Sequence, residues 1–451
     1  MLQQFLSFLF QLDLFFWGYA GFALIMLLGI YLSFKTRFFQ IHAFPSIFKT
    51  FFHFLFKKQE NDGGIHPLKA FFASVGGMIG IGSVVGIVTA VQFGGPGALL
   101  WVWIAATLGS LIKYSEVFLG LKHRVKRKDG GFDGGPMFFL AKAFKVKFIP
   151  IIVAVLLCLY GIEIYQFSVI TNTIESNWNI NHFLVVFGLL GLVLYASVGG
   201  VKRVGKICSS VMPVFMLIYV FMGSWVIISN IALLPEVLVT VFKSAFTGHA
   251  AVGGFVGSTM LLAIQHGISR LAYSADLGIG YDSIIHSESS ATHPEKQARL
   301  AVLGVFLDNF MCTLSILIIL LTGVWQSVEP IPASLLVQTA LSNYFPYMEV
   351  FMPCFLLILG YTTIIAYMCI GIKCAKFLHS KYGPAIYMTY GVIAWVLSSF
   401  FDQTTALLIM SLAQALLLMI NLVGLFKLRH EVLFVKVKEE HPAAGVLEVA
   451  S

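Results

Sequence analysis

Five glycines fall within the eleven residues GGMIGIGSVVG, from Gly76 to Gly86. Glycine has no side chain, so a glycine-rich stretch can leave a regular helix without steric cost and expose its backbone N–H and C=O groups. Exposed N–H groups at the start of a helix bind anions, and carbonyl oxygens at its end bind cations. The stretch therefore has the residue types of a binding site built from backbone.

The glycines interrupt an apolar segment that runs from Phe71 to Val91 in a chain of 451 residues. Of these residues, 58% are hydrophobic and only 11% are charged, and the mean hydropathy is +0.89. A chain of this composition cannot cover a globular core with polar surface, so we expect a membrane protein. At membrane depth, unpaired backbone groups are tolerated only where they line a cavity or hold a ligand. The break is therefore expected to serve a function.

Two other interpretations of the glycines remain open from the residues alone. The spacing of Gly80, Gly82 and Gly86 approaches a dinucleotide-binding fingerprint, but that motif works only between a strand and a helix. Both flanks here are apolar and long enough to span a membrane. Gly82 and Gly86 also have the four-residue spacing at which small residues let two membrane helices pack closely.

The apolar segments predict an all-α polytopic membrane protein. A bilayer core about 30 Å thick requires about 20 apolar residues per helical crossing. Eleven segments of roughly that length follow one another, at 14–34, 70–91, 97–121, 148–172, 181–199, 209–229, 250–276, 297–324, 347–372, 384–400 and 404–426. The first of them, as bounded here, contains no charged residue.

Glycines interrupt the seventh segment as well, in AAVGGFVGST, at Gly253, Gly254 and Gly257. Because the two breaks lie five crossings apart, helices 2–6 and 7–11 enter the membrane from opposite sides, as in secondary transporters with an inverted repeat. We therefore expect a single transmembrane domain over residues 1–451. Its parts are an extra helix at 14–34, a first repeat at 70–229, a second repeat at 250–426 and a tail at 427–451.

Basic residues orient the predicted bundle. Apart from Lys113, Lys243 and Arg270, the 29 Lys and Arg residues fall in alternate segments, which places them on one side. Because Lys and Arg collect in cytoplasmic loops, this pattern predicts an N-terminus outside and a cytoplasmic C-terminus, in a plasma (inner) membrane. The same bias explains the net charge of +8, so nothing indicates a nucleic-acid partner.

Signatures of enzymatic chemistry are missing from the sequence. It contains no HExxH, GxSxG or GxxxxGK[ST] motif, and its six cysteines form no CxxC pair. We therefore predict that the protein is not an enzyme and carries no cofactor.

Several motifs resemble, in the same order, those of the alanine or glycine:cation symporter family. They are GGMIGIGSVVGIVTAVQFGGPGA, KYSE, GGPMFFL, SADLGIGYDS and THPEKQARLAVLGVFLD, and the similarity extends from about residue 70 to 380. The resemblance implies a LeuT-like five-plus-five fold and sodium-coupled symport of a small neutral amino acid, such as alanine or glycine, into the cell. The implied partners are the amino acid, the sodium ion and the lipid bilayer.

The resemblance also implies site residues. The unwound backbone of Gly80, Ile81, Gly82 and Ser83 would hold the substrate carboxylate, with Gly253, Gly254 and Gly257 in helix 7, Gln166 in helix 4 and Tyr367 in helix 9. The hydroxyls of Thr362 and Thr363 and the carbonyls of Gly76 and Ile79 would bind sodium, because oxygen ligands suit a hard cation. The alternative for the two threonines is that they bond back to carbonyls of their own helix.

Some positions depart from the family pattern and leave the substrate open. Ser83 replaces an asparagine, Tyr367 replaces a tryptophan, and Ala275-Asp276 replaces Asn-Glu. Glu163 stands where the family commonly has asparagine, one helical turn from Gln166. An ionisable residue inside a crossing is costly and by default functional. We expect Glu163 either to pair with a cationic part of the substrate, to carry a coupling proton, or to hydrogen-bond to a neighbouring helix.

Other charges also fall inside predicted crossings. Asp308 lies in helix 8, and Lys113 and Glu116 stand three residues apart in helix 3, as an ion pair or an inner gate. Arg270 and Asp276 are expected near the inner end of helix 7, where they could close the cytoplasmic side.

Three function classes follow. Sodium symport is the leading prediction. A proton-coupled carrier or exchanger of the same fold is the alternative, and a membrane sensor that transports nothing is the third.

Overall fold

The computed structural model describes residues 2–56, 63–127, 130–250, 257–329, 331–400, 402–436 and 448–449. In these ranges the chain is nearly all helical. The helices of the first half are α1 (Leu2–Phe15), α2 (Gly21–Lys35), α3 (Phe39–His42), α4 (Phe44–Phe56), α5 (Pro67–Met78), α6 (Thr89–Gly94), α7 (Ala98–Lys122), α8 (Pro136–Phe144), α9 (Phe148–Tyr160), α10 (Ile164–Trp178), α11 (His182–Ser197) and α12 (Gly200–Ser229).

The helices of the second half are α13 (Leu234–Thr247), α14 (Met260–Ser274), α15 (Tyr281–Ser287), α16 (Pro294–Thr322), α17 (Ala333–Ser342), α18 (Met348–Leu378), α19 (Gly383–Ser398) and α20 (Gln403–Lys427). Two π-helical turns cover Phe16–Ala20 and Gly82–Gly86, and a 3₁₀ turn covers Val324–Gln326. Two short antiparallel strand pairs complete the described chain: β1 (Val125–Lys126) with β2 (Phe132–Asp133), and β3 (Val435–Lys436) with β4 (Glu448–Val449).

Helix length and composition confirm a polytopic membrane protein. Seven helical spans of the described chain are long and apolar enough to cross a membrane, two of them made of consecutive helices (α1 with α2, and α9 with α10), and the bent pair of α5 with the segment Gly82–Gly94 makes an eighth. The first of these spans runs from Gln4 to Lys35, because a π-helical turn joins α1 to α2 without ending the helix. The prediction that this crossing starts at residue 14 and carries no charge was therefore wrong, since the span includes Asp13.

The first predicted break is present. The His66 side chain accepts a hydrogen bond from the Leu68 N–H, and Pro67 occupies the first turn, so α5 has a well-defined start. The helix ends at Met78, and the chain resumes after a bend of 42°. A Cβ on Gly80 would lie 2.2 Å from Oγ1 of Thr363, so only glycine allows α18 to approach the backbone here.

The second break lies elsewhere than predicted. The helix of the seventh crossing begins at Met260, not at residue 250, and its interruption separates α14 from α15 at residues 275–280. Asp276, Gly278 and Gly280 have positive φ angles of 50°, 74° and 91°, which a continuous right-handed helix does not allow. The sequence SADLGIG therefore breaks the helix.

A third interruption was not predicted. Residues 148–172 were expected to form one helix, but α9 ends at Tyr160 and Glu163 adopts a left-handed conformation with φ 53° before α10 begins. The carbonyl of Ile162, freed by this break, accepts a hydrogen bond from Nε1 of Trp395 at 2.6 Å. The break is thus satisfied by α19, as membrane depth requires.

Helix α7 occupies the middle of the bundle. It packs against α2, α14, α15 and α16, and every residue at positions 109–121 is buried. Its side chains also satisfy the second break, because Nζ of Lys113 donates to the Asp276 carbonyl at 2.5 Å. From α20, Nδ2 of Asn421 donates to the Gly278 carbonyl at 3.1 Å. The irregular backbone is therefore enclosed by protein.

Candidate functional site

The two interrupted helices meet at the centre of the bundle. Oγ of Ser83, just after the first break, lies 3.0 Å from Oγ of Ser274, just before the second. Both hydroxyls donate to Oδ1 of the buried Asp308 on α16, at 2.6 and 2.8 Å. Asp308, noted as a charge inside a crossing, thus joins the two breaks.

Four of the predicted substrate residues converge at the first break. The N–H of Ile81 donates to Oε1 of Gln166 at 3.0 Å, so α10 holds the unwound backbone directly. Gly80 faces the same Oε1 atom, at 3.1 Å from where its Cβ would be. Oε2 of Glu163 accepts a hydrogen bond from the Tyr273 hydroxyl at 2.7 Å. Glu163 precedes α10 and does not share a continuous helical face with Gln166, which corrects the predicted relationship.

Tyr367 belongs to an aromatic layer around this centre. Its hydroxyl donates to the Asp276 carboxylate, and its ring stacks on Tyr281 with centroids 3.8 Å apart. Tyr160 contacts the rings of both Tyr273 and Tyr367, at 6.4 and 5.6 Å. Tyr367 was predicted to belong to the site, but the other three tyrosines were not. Two of them could have been found from the motif SADLGIGYDS, because Tyr273 precedes it and Tyr281 lies within it, whereas nothing near Tyr160 in the sequence marks it.

Of the predicted glycines of helix 7, only Gly257 is described, and it does not lie at this centre. Gly253 and Gly254 fall outside the described residues. Gly257 has φ 98° and lines a cavity near the N-terminal end of α14. The first break contacts Tyr273 and Ser274, which stand where the glycines were expected: a Cβ on Gly82 would lie 3.4 Å from each.

The predicted cation ligands are partly brought together. Oγ1 of Thr363 donates to the carbonyls of Gly76 and Leu359, each at 3.1 Å. Oγ1 of Thr362 donates to the same Leu359 carbonyl at 2.8 Å and lies 3.4 Å from Sδ of Met212. A cluster of oxygens therefore surrounds Thr363, and Leu359 is a member that the sequence analysis missed.

The hydrogen bond that the structure describes for Ile79 runs from its N–H to the Val75 carbonyl and involves neither threonine. Both threonine hydroxyls donate to a carbonyl of their own helix, which was the predicted alternative to sodium binding. This alternative describes Thr362 well. Thr363 differs, because its hydroxyl also bridges to α5.

The buried charges pair differently from the prediction. Nζ of Lys113 contacts Oδ2 of Asp282 on α15 at 2.7 Å, and both side chains are fully buried. Oδ1 of Asp282 accepts from Ser74 at 2.8 Å, which ties α5 to the same pair. Glu116 instead accepts a hydrogen bond from Asn421. The predicted Lys113 and Glu116 pair is thus replaced by a pair between helices.

A cavity of about 640 Å³ opens at the end of the bundle where α20 begins. Tyr165, Arg270 and Asp13 line it, and Arg270 lies one helical turn before the C-terminal end of α14. The ring of Tyr165 contacts that of Tyr273 at 5.9 Å. Two tyrosines therefore separate the cavity from Glu163 and Gln166.

The opposite end, which carries the basic segments, is closed by polar contacts. The Arg124 guanidinium donates to the carbonyls of Ser287, Ser289 and Ala291, at 2.6 to 3.1 Å. Glu288 accepts from Arg127 and pairs with Lys373. The bundle is thus open at one end and sealed at the other.

A family model described as the sodium:alanine symporter family matches residues 2–441. The chain belongs to this family. An uncharacterized transporter of Haemophilus influenzae is 30% identical to it over 94% of this chain and 93% of that protein. The sodium/alanine symporter AgcS of Methanococcus maripaludis is 27% identical over 94% of this chain and 95% of its own length.

The fold is confirmed by a solved structure. The crystal structure of MhsT in complex with L-phenylalanine aligns with 80% of this chain and 89% of that one, with a TM-score of 0.59 and 14% identity. This member of the sodium:alanine symporter family therefore has a LeuT-like transporter fold. It is a cation-coupled amino acid transporter of the membrane and not an enzyme.

The structure explains one position at which this sodium:alanine symporter family member differs from the family pattern. Ser83, where the resemblance led us to expect asparagine, has its hydroxyl hydrogen-bonded to Asp308 and Ser274. Its carbonyl accepts from Ser315 at 2.8 Å. Ser83 therefore joins three helices, and its side chain is committed to that junction.

Proposed function

We propose that the protein couples the inward movement of sodium to the uptake of a small neutral amino acid such as alanine or glycine. The observation that supports this best is the oxygen cluster of Gly76, Leu359 and Thr363, which lies beside the unwound backbone at Gly80. Carbonyl and hydroxyl oxygens are the ligands that a hard alkali cation prefers. The cluster also joins α5 to α18, so a bound ion would hold the two helices together.

The amino acid would bind next to this cluster. A new helical segment starts after Gly80, whose own N–H donates to the Met78 carbonyl, and the positive end of that segment at Ile81 and Gly82 favours a carboxylate. Gln166 already accepts from Ile81, so an arriving carboxylate would compete for the same N–H. Four buried tyrosines surround this place, so we infer that only a small side chain, such as that of alanine or glycine, would be accommodated.

Transport would proceed by alternating access. The cavity extends from one end as far as Tyr165, and the contacts of Glu288 hold the other end together. Since Lys and Arg favour the cytoplasmic side, the sealed end is assigned to the cytoplasm and the cavity to the outside. The N-terminus then lies outside, as the sequence predicted. Rocking of one group of helices against the other would reverse which end is open.

The test is uptake by the purified full-length protein in proteoliposomes. Labelled alanine, glycine, glutamine and lysine would be offered with an inward sodium gradient, with an inward proton gradient, and with neither. We expect uptake of alanine or glycine that requires the sodium gradient and is abolished when choline replaces sodium. Uptake that ignores sodium in all four cases would contradict the proposal.

A proton-coupled carrier is the second candidate, and Glu163 favours it. Glu163 is 1% exposed, and the Tyr273 hydroxyl donates a hydrogen bond to its carboxylate. No basic side chain of the described chain contacts it, so a proton is a natural counter-charge. In the experiment above, this candidate requires uptake that follows the proton gradient.

A further inference from the structure

The cavity has a charged floor that the central site does not use. Arg270 of α14 and Asp13 of α1 both line it, and their side chains are only 8% and 6% exposed. Neither residue contacts the oxygen cluster or the first break through a described hydrogen bond. Two opposite charges are therefore held deep in a space that a solute must cross.

The Arg270 guanidinium is available to a ligand. Its Nε and Nη1 atoms are buried and have no hydrogen-bond partner among the residues that the structure describes. Guanidinium donors lie in one plane and match the two oxygens of a carboxylate. A buried cation without a hydrogen-bond partner is costly, so its retention indicates that an anion binds there.

Asp13 lies near Arg270, but its described hydrogen bond is with a different residue. It is close enough to attract Arg270 electrostatically, but its Oδ1 accepts a hydrogen bond from Ser411 at 2.5 Å. Oγ of Ser411 in turn accepts from Nε1 of Trp17 at 2.8 Å. This chain of bonds anchors the carboxylate between α1 and α20 and leaves Arg270 free to bind something else.

His266 adds a further polar group to the same face. It lies one helical turn before Arg270, lines the cavity, and is 4% exposed. Its Nδ1 atom is also without a hydrogen-bond partner in the described chain. A cavity of about 640 Å³ is in the range of small-molecule sites, so the floor has both the volume and the donors for a ligand.

We propose that Arg270 and Asp13 form a transit site that binds the zwitterion of the transported amino acid before it reaches the centre. Arg270 binds the α-carboxylate and Asp13 binds the α-ammonium group. The tyrosine pair Tyr165 and Tyr273 separates this site from the central one. The site rests on the proposed amino acid transport, and it gives the extra N-terminal helix a role, because that helix supplies Asp13.

Binding would be measured on the full-length protein in nanodiscs and in choline buffer without sodium, so that the sodium-dependent central site stays empty. Trp325 lines the cavity, and its fluorescence is isolated by subtracting the signal of a Trp325→Phe variant. The probes are L-alanine, propionate, methylammonium and chloride. L-alanine is expected to change the signal saturably, propionate to compete with it, and chloride to compete only weakly.

Arg270→Gln is expected to weaken alanine binding about tenfold or more, because it removes a charged hydrogen-bond donor. Asp13→Asn should weaken alanine but not propionate. Arg270→Lys keeps the charge and should restore part of the affinity, which also covers the case in which Arg270→Gln fails to fold. Lys243→Gln, an exposed charge on α13 at the same end, is the matched control and should bind normally.

The results separate this inference from the proposed function. Sodium-driven uptake with an alanine signal that Arg270→Gln, Arg270→Lys and Asp13→Asn all leave unchanged would overturn the transit site alone. A signal that depends on Arg270 in a protein without sodium-driven uptake would support the site and contradict the coupling. A chloride response without any carboxylate response would also overturn it.

Discussion

The hydroxyl of Thr363 bridges from α18 to the Gly76 carbonyl on α5, whereas the hydroxyl of the adjacent Thr362 turns toward Met212 on α12. The two residues follow each other in sequence and have the same side chain. Only one of them reaches the broken helix. They therefore offer a matched pair for testing where sodium binds.

Thr363→Val removes the bridging oxygen and keeps the side-chain volume. We expect the sodium concentration for half-maximal alanine uptake to rise about tenfold or more, because an ion ligand is lost. Thr362→Val should raise it by less, about threefold at most, since its oxygen lies at the edge of the cluster. Sodium titration of uptake by both variants decides this. Equal effects, or a larger effect at Thr362, would contradict the assignment.

Gln166 holds the Ile81 N–H at the first break. Gln166→Leu leaves that donor unpaired in a buried place, so the unwound backbone loses its support from α10. We expect the KM for alanine to rise about tenfold, with a smaller effect on the sodium requirement.

Gln166→Glu keeps an acceptor oxygen and serves as the control. It should retain more of the alanine affinity than Gln166→Leu, and both would be measured by uptake at saturating sodium. Loss of affinity that is equal in the two variants would show that the hydrogen bond to Ile81 is not what matters.

The sequence predicted a polytopic helical membrane protein correctly, because the crossings are long apolar runs, but the predicted number of eleven stays a prediction. It also predicted the first break, since Gly80 and its neighbours interrupt such a run. The second break was missed because Gly253, Gly254 and Gly257 gave a stronger composition signal than SADLGIG. Side chains such as Lys113 and Asn421 satisfy that break from distant helices, and their pairing depends on tertiary packing.

The central side chains were predictable only in part. The resemblance implied that Gln166 and Tyr367 bind substrate and that Thr363 binds sodium, and the structure places Gln166 and Thr363 beside the first break. Their binding roles stay predictions. The contact between Tyr273 and Glu163 was not foreseen, since it depends on the left-handed turn at Glu163. A pattern of apolar residues does not reveal such a turn.

The buried pair of Lys113 and Asp282 should be important for stability. Removing one partner leaves the other charge buried without compensation. Lys113→Met and Asp282→Asn are each expected to lower the free energy of unfolding by about 3–5 kcal/mol.

Thermal unfolding of the purified variants in the same detergent would measure this. The double variant should lose less than the sum of the single losses, because neither charge is then left alone. Additive losses would show that Lys113 and Asp282 do not act as a pair.

A variant of Glu163 would distinguish sodium coupling from proton coupling. Glu163→Gln keeps an acceptor for the Tyr273 hydroxyl but removes the group that could bind a proton. If protons drive transport, the variant should lose accumulation by at least about tenfold and its uptake should not vary between pH 5.5 and 8. If sodium alone drives transport, the dependence of the variant's uptake on pH should match that of the wild type.

Glu116→Gln is the control, because Glu116 is equally buried but bonds to Asn421 outside the centre. A pH profile that changes as much in Glu116→Gln would show that the effect belongs to any buried carboxyl group and not to the site.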